Sequence, residues 1–192
     1  MKKAAAADKS IVLYILSRAF SKNRSVNYIV KQDKNRLLRI EALMDYSYEV
    51  CSQFGEVLLS DDSNACVLLL YPQFKRTTLK SIWLDIKLIF QAIGLSNINK
   101  TIKRENQIKK FHPKIDMIYL WFIGVQPERQ NLGTGSTLLT EVLAEADLKA
   151  LPVYLETSTL INIPWYERFG FKVYNRLELD YTLFFLKREP DK

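Results

Sequence analysis

The sequence predicts a single α/β (α+β) domain spanning residues 1–192. Three observations carry that prediction. Apolar residues make up 48% and aromatic residues 12% of 192 positions, enough to bury a sizeable core in a chain of single-domain length. Segments of helical spacing alternate with short strand-like apolar runs. One run, DMIYLWFIGV at 116–125, is apolar on both alternating faces, as expected of a central strand covered on both sides.

The elements follow in order. MKKAAA is a candidate short first strand. DKSIVLYILSRAF reads as a helix with Asp8 as N-cap and Ile11, Tyr14, Ile15 and Ala19 at helical spacing. SKNRSVN is a polar loop. KNRLLRIEALMDYSYEVCSQFG is a longer helix stopped by Gly55. EVLLS and ACVLLLYP, separated by DDSN, form an antiparallel hairpin ended by Pro72. TTLKSIWLDIKLIFQAIG and NINKTIKRENQIKKFH are two further helices, the first closed by Gly94. After DMIYLWFIGV comes a glycine-containing loop. Leu138, Leu139, Val142, Leu143 and Ala146 then mark the buried face of a helix. PVYLETS is a strand and IPWYERFG a short helix closed by Gly170. FKVYNRLEL and YTLFFLKR are two last strands joined around Asp180, and EPDK is a loose tail.

Net charge is +7, from 28 basic and 21 acidic residues. Such an excess bears on association rather than on fold. It is compatible with a basic surface or with attraction of a polyanionic ligand. Lys100, Lys103, Arg104, Lys109 and Lys110, with Lys114 just beyond, concentrate charge on one predicted helix. That helix is either a solvated face, a guide for an anionic ligand or a nucleic-acid footprint. The last reading requires Lys103, Arg104, Lys109 and Lys110 to share one face. No nucleic-acid partner and no membrane partner is expected. No signal peptide is expected, because Asp8 and Lys9 interrupt the first apolar run, and no run of about 18 apolar residues suggests a membrane helix. Cys51 and Cys66 form no CxxC, and His112 is the single histidine, so no metal site is expected. Two reduced, buried thiols in a cytoplasmic protein are the expectation.

The loop VQPERQNLGTGSTLL, residues 125–139, holds two glycines two positions apart. It is not a Walker loop, because no Gly-Lys-Ser/Thr follows. It is a poor dinucleotide fingerprint, because Leu138 replaces the third glycine and the stretch from Val125 to Gly133 is long, although Glu156 stands about where a ribose contact would be. A plain tight turn and a pyrophosphate cradle remain. In the cradle, backbone N–H groups of Gln130 to Gly135 converge. The helix beginning at Ser136 adds its positive end, and bare Gly133 and Gly135 leave room for phosphate oxygens.

Here a family resemblance enters. Gln130, Gly133 and Gly135 match the Q/R-x-x-G-x-G/A acetyl-CoA motif of the GNAT superfamily of N-acetyltransferases, position by position. Tyr166, Glu167, Gly170 and Phe171, in YLETSTLINIPWYERFGF, match that superfamily's later Tyr-Glu-x-x-Gly-Phe unit. The resemblance is strongest over about 115–175, and within the superfamily it is to an uncharacterised bacterial-type branch. It implies a mixed, mostly antiparallel sheet of about six to seven strands flanked by helices. Two parallel strands, DMIYLWFIGV and PVYLETS, would splay to form the acetyl-CoA cleft.

It also implies acetyl transfer to a primary amine of a small molecule, by direct attack in a ternary complex and without a metal. The alternatives are a protein or peptide N-acetyltransferase and a non-catalytic acyl-CoA-binding module. Backbone groups of Ile123, Gly124 and Val125 would hold the pantetheine arm and the thioester carbonyl. Gln130, Asn131, Leu132, Gly133, Thr134, Gly135 and Ser136 would hold the pyrophosphate. Tyr166 would protonate the departing thiolate; the other reading of it is a core tyrosine. Asn162, one turn earlier, is either a pantetheine contact or a helix N-cap. No glutamate lies inside the central strand, so Glu156 on the neighbouring strand is the candidate base. His112 carries the side-chain type most often used as a base, but a loop imidazole bonded to backbone is the plainer reading. The family builds its acceptor pocket from the first two helices and the last hairpin. Phe20, Tyr28, Tyr46, Tyr48 and the 174–185 stretch are then candidates for that pocket or for the core. The protein would act as a monomer or homodimer, and the resemblance implies no particular acceptor.

Overall fold

A computed structural model describes residues 1–191. Seven strands form one sheet in the order β1-β2-β3-β4-β5-β7-β6. They are β1 (Lys2–Lys3), β2 (Gly55–Leu59), β3 (Ala65–Leu70), β4 (Ile118–Val125), β5 (Val153–Thr157), β6 (Lys172–Glu178) and β7 (Thr182–Arg188). Only β4 and β5 pair in parallel. The helices are α1 (Lys9–Ala19), α2 (Arg24–Ile29), α3 (Arg36–Phe54), α4 (Leu79–Leu88), α5 (Ile98–Phe111), α6 (Thr134–Leu148) and α7 (Ile163–Glu167). Helices α1 and α3 bury Val12, Ile15, Leu16, Ile40 and Met44 against one face of the sheet. Helix α6 buries Leu138, Leu139, Val142, Leu143 and Ala146 against the other, the face its spacing predicts.

Local chemistry explains where the elements begin and end. Thr78 and Ser81 form a reciprocal capping box at α4: Ser81 N–H donates to Thr78 Oγ1 at 3.0 Å and Thr78 N–H to Ser81 Oγ at 2.8 Å. Helix α4 then widens into a π turn over Ile89–Ile93 and ends at Gly94, at φ 72°. Gly55 differs from its predicted role. It is extended and opens β2, and a Cβ there would lie 2.0 Å from Leu69 O, so close strand approach, not helix termination, demands glycine.

Four other expectations are corrected. SKNRSVN is not all loop: Asn23 caps α2, its Oδ1 accepting from Val26 N–H at 3.1 Å. Asp8 does not cap α1; its carboxylate accepts from Ala5 N–H at 2.9 Å and closes a 3-10 turn before the helix. The buried face of α1 is Val12, Ile15 and Leu16, packed on the sheet, whereas Ile11 and Tyr14 are exposed on the outer side of the helix. The tail is tied down rather than loose. Arg188 pairs with Asp147 at 2.7 Å and with Asp191 at 2.6 Å, and Asp191 N–H donates to Asp147 at 2.9 Å. Lys192 of the tail lies outside the described residues.

Strand β4 carries the feature that shapes the site. It pairs with β3 as Leu68↔Phe122 and Leu69↔Leu120, which leaves Trp121 as an extra residue, a β-bulge. The bulge reverses the facing of the strand. Before it, Ile118 and Leu120 pack on the α6 side; after it, Ile123 and Val125 do. Tyr119, Trp121 and Phe122 pack on the α1–α3 side. Trp121 and Phe122 stack with ring centroids 5.9 Å apart.

Candidate active site

The parallel pairing of β4 with β5 covers only Ile118↔Val153 and Tyr119↔Tyr154. Beyond it each strand follows its outer neighbour. Strand β4 stays on β3 through Ile123↔Val67, Gly124↔Cys66 and Val125↔Ala65. Strand β5 stays on β7 through Leu155↔Leu186, Glu156↔Phe185 and Thr157↔Phe184. The two strands therefore part in the middle of the sheet, where the sequence predicts a splay. The inner edge of β4 at Ile123, Gly124 and Val125 faces the opening. Gly124 needs its bareness for another reason: a Cβ would lie 2.9 Å from Leu16 Cδ2 of α1.

At the mouth of the splay lies the loop of residues 126–133. Pro127–Arg129 form one 3-10 turn. Asn131 at φ 64° and Gly133 at φ 86° turn the chain through left-handed backbone into α6. None of the backbone N–H groups from Asn131 to Ser136 donates to an acceptor among the described residues; the first to do so is that of Thr137, to Gly133 O at 3.0 Å. A helix start also concentrates positive potential. Nothing lies within 4 Å of a would-be Cβ at Gly133, and at Gly135 only Val125 Cγ2 (3.3 Å) and Trp165 Cζ2 (3.9 Å) do. Gln130 folds back, its Nε2 donating to Val125 O at 3.3 Å. Leu132 is exposed. Ser136 Oγ accepts from Trp165 Nε1 at 3.0 Å, which fastens α7 to the first turn of α6. That clasp has no signature in the sequence, because the two residues belong to separate elements.

Tyr166 lies on the α6 side of the sheet, buried among Trp165 and Phe171. Burial pushes its phenol well above the ordinary value, so it stays protonated. Asn162 precedes α7 but makes no side-chain cap bond there.

The opposite side of the splay holds a polar cluster. One Glu156 carboxylate oxygen bonds His112 Nε2, and the other accepts from Tyr119 OH. Tyr119 is held far above the ordinary phenol value, first by burial and then by the Glu156 charge. His112 is therefore not a loop imidazole bonded to backbone. Pro113 forces extended backbone on the residue before it, which ends α5 at His112 and frees the ring to reach β5. The ring packs edge-on to Tyr119 at 5.2 Å.

The surroundings sort the remaining candidates. Tyr48 is buried in the core and Phe20 packs edge-on to Phe122 at 4.9 Å, so both are structural. Tyr46 lies edge-on to Trp121 at 6.2 Å and donates to Asp85 at 2.8 Å. Tyr28 packs on Tyr181 at 5.3 Å under Lys100. The basic residues of α5 do not share a face. Arg104 is buried and donates to Tyr181 OH at 2.9 Å and Ser25 Oγ at 2.5 Å, while Lys103, Lys109 and Lys110 are exposed. Arg104 is thus spent inside the protein and does not belong to an exposed basic face of this helix.

A family model described as an acetyltransferase (GNAT) domain matches residues 92–173, which include the splay, the loop and α7. This part of the chain is similar to a GNAT acetyltransferase domain. An uncharacterised N-acetyltransferase of Schizosaccharomyces pombe is 42% identical over 53 residues, a match that spans 28% of this chain and 22% of that relative. Among solved structures, a histone acetyltransferase HPA2 and related acetyltransferase of Corynebacterium glutamicum superimposes at TM-score 0.72 with 18% identity, covering 100% of this chain and 96% of that one. Arylalkylamine N-acetyltransferase 2 of Aedes aegypti superimposes at TM-score 0.63 with 13% identity, covering 99% and 98%. These likenesses establish the GNAT fold over the whole described chain. No helix among the described residues is long and apolar enough to cross a membrane, and no group of three or more His, Cys, Asp or Glu among them is placed to hold a metal ion.

Proposed function

We propose that the protein transfers an acetyl group from acetyl-CoA to the primary amine of a small molecule, in a ternary complex. The observation that carries this reading is the row of unused N–H groups from Asn131 to Ser136, at a helix start, opening on the gap between β4 and β5. Those donors suit a pyrophosphate. The inner edge of β4 at Ile123, Gly124 and Val125, where Gln130 Nε2 already holds Val125 O, suits the amide groups of a pantetheine arm. Acetyl-CoA supplies the activated acyl carbon, from which the free amine displaces the CoA thiolate.

The chain's own groups then divide the proton work across the sheet. On the acceptor side, the Glu156–His112 pair takes the proton that the ammonium must lose before attack. Tyr119, bonded to the same carboxylate, holds it in place. On the α6 side, burial keeps Tyr166 a neutral phenol, and the reading assigns to it the proton that the leaving sulfur takes up.

A small acceptor is favoured over a peptide by the packing around β5. Ser25 N–H donates to Ser158 Oγ at 3.4 Å, and Arg104 binds Ser25 and Tyr181, so α2, α5 and the turn before β7 crowd that end of the cleft. Aromatic rings of Tyr119, Phe185 and Tyr174 surround the polar cluster and suit an aryl or alkyl body on the amine. The arylalkylamine acetyltransferase among the structural neighbours points the same way. Free, buried Cys51 and Cys66 support a reducing, cytoplasmic setting.

The test is amine-dependent release of free CoA thiol from acetyl-CoA across a panel of small aryl- and alkylamines. The reading predicts turnover with at least one amine. It also predicts that Tyr166→Phe lowers kcat on the order of 10²-fold with acetyl-CoA affinity unchanged. Acetyl-CoA binding without release on any amine would leave only a binding module.

A further inference from the structure

Helix α4 is apolar on two faces. Leu84 faces the core, yet Leu79, Ile82, Trp83, Ile86 and Phe90 are 88%, 45%, 59%, 50% and 64% exposed and form one stripe along the outer side. Nothing among the described residues covers it. The stripe presents on the order of 500–600 Å² of apolar surface, at the top of what a monomer usually shows.

Its spacing is symmetric. Positions 79 and 90, and 83 and 86, lie at equal distances from a point between Leu84 and Asp85. An antiparallel pairing of two α4 helices about a two-fold axis through that point sets Leu79 against Phe90 of a second copy and Trp83 against Ile86. Ile82 then meets the aliphatic stem of Lys87. The flanking charges permit the approach, because both lysines beside the stripe are already neutralised within the chain. Lys80 pairs with Glu49 at 2.8 Å and Lys87 with Asp45 at 2.7 Å. Two stripes together bury about 1,000–1,200 Å² before any polar rim, which reaches the lower end of stable interfaces.

We infer that the outer face of α4 is a homodimer interface in which two copies pack α4 antiparallel about Leu84–Asp85. The inference does not depend on the acetyl-transfer reading. Helix α4 also carries Asp85, which holds Tyr46 beside Trp121, so the dimer would brace the wall behind the bulge in β4.

Sedimentation equilibrium tests it with the full chain at micromolar concentration. The wild type is expected at twice the monomer mass. Leu79→Glu, at the most exposed position, is expected to be monomeric with an unchanged circular-dichroism melt. Adding Phe90→Lys to it places opposite charges across the axis and is expected to restore the dimer, whereas adding Phe90→Glu is not. A wild type that stays monomeric at about 100 μM overturns the proposal. So does a dimer indifferent to Leu79→Glu, or flotation of the monomer with phosphatidylserine vesicles abolished by Leu79→Glu, which would assign the stripe to a membrane.

Discussion

Glu156 is proposed as the base because of its two partners rather than its own position on β5. His112 and Tyr119 come from α5 and β4 and meet it on one side of the splay. If the three act as a unit, their losses do not add. His112→Gln and Glu156→Gln are each expected to lower kcat/KM for the amine by about 10²–10³-fold, and the double variant by no more than the worse single one. Acetyl-CoA affinity, measured separately, is expected to stay within about 2-fold for all three, since the cluster lies across the sheet from the cofactor loop. Multiplying losses would show that His112 and Glu156 act independently. Glu156 was legible as a candidate because it is the acidic residue on the neighbouring strand. The His112 contact was not, because 44 positions separate the two residues and only the fold closes that distance.

At the scale of elements, helix and strand identities were legible wherever apolar spacing was strong, as in α6, the β2–β3 hairpin and the central strand. The bulge at Trp121 was not. A run apolar on both faces gives no sign of a one-residue slip, which only the register against β3 reveals. Gly55 was misread for a related reason: a glycine after a helix looks like a stop, and the neighbouring strand that forbids a side chain is remote in sequence. Gly55→Ala is expected to cost about 2–3 kcal/mol, read as a lowered urea midpoint at constant m-value. The tie between α6 and β7 offers a pH test. Arg188 hydrogen-bonds Asp147 and holds its carboxyl below the ordinary value. The folded state therefore favours the ionised form. The resulting stabilisation is full above the unfolded value of about 4 and fades as pH falls through the lower folded value. Asp147→Asn is expected to be less stable than wild type at pH 7, and the gap between them is expected to narrow as pH drops below about 4. A gap independent of pH would assign the loss to packing instead.

For the whole molecule, the parallel pair at the centre of an otherwise antiparallel sheet explains why one site sits where it does. Antiparallel neighbours hold β4 and β5 apart, and the gap opens toward the start of α6. Net charge of +7 surrounds a cleft read as binding a polyanion, which favours capture without deciding specificity. The central claim is that the α6 loop binds acetyl-CoA through backbone donors. Calorimetric titration of wild type and Gly135→Glu with acetyl-CoA tests it most directly. A Cβ at Gly135 would meet only side-chain atoms, of Val125 and Trp165, so the variant is expected to fold, and a matching melting curve checks that it has. The account predicts micromolar binding by wild type and none by the variant, whose carboxylate would occupy and repel the pyrophosphate position. Equal binding by both proteins would contradict it.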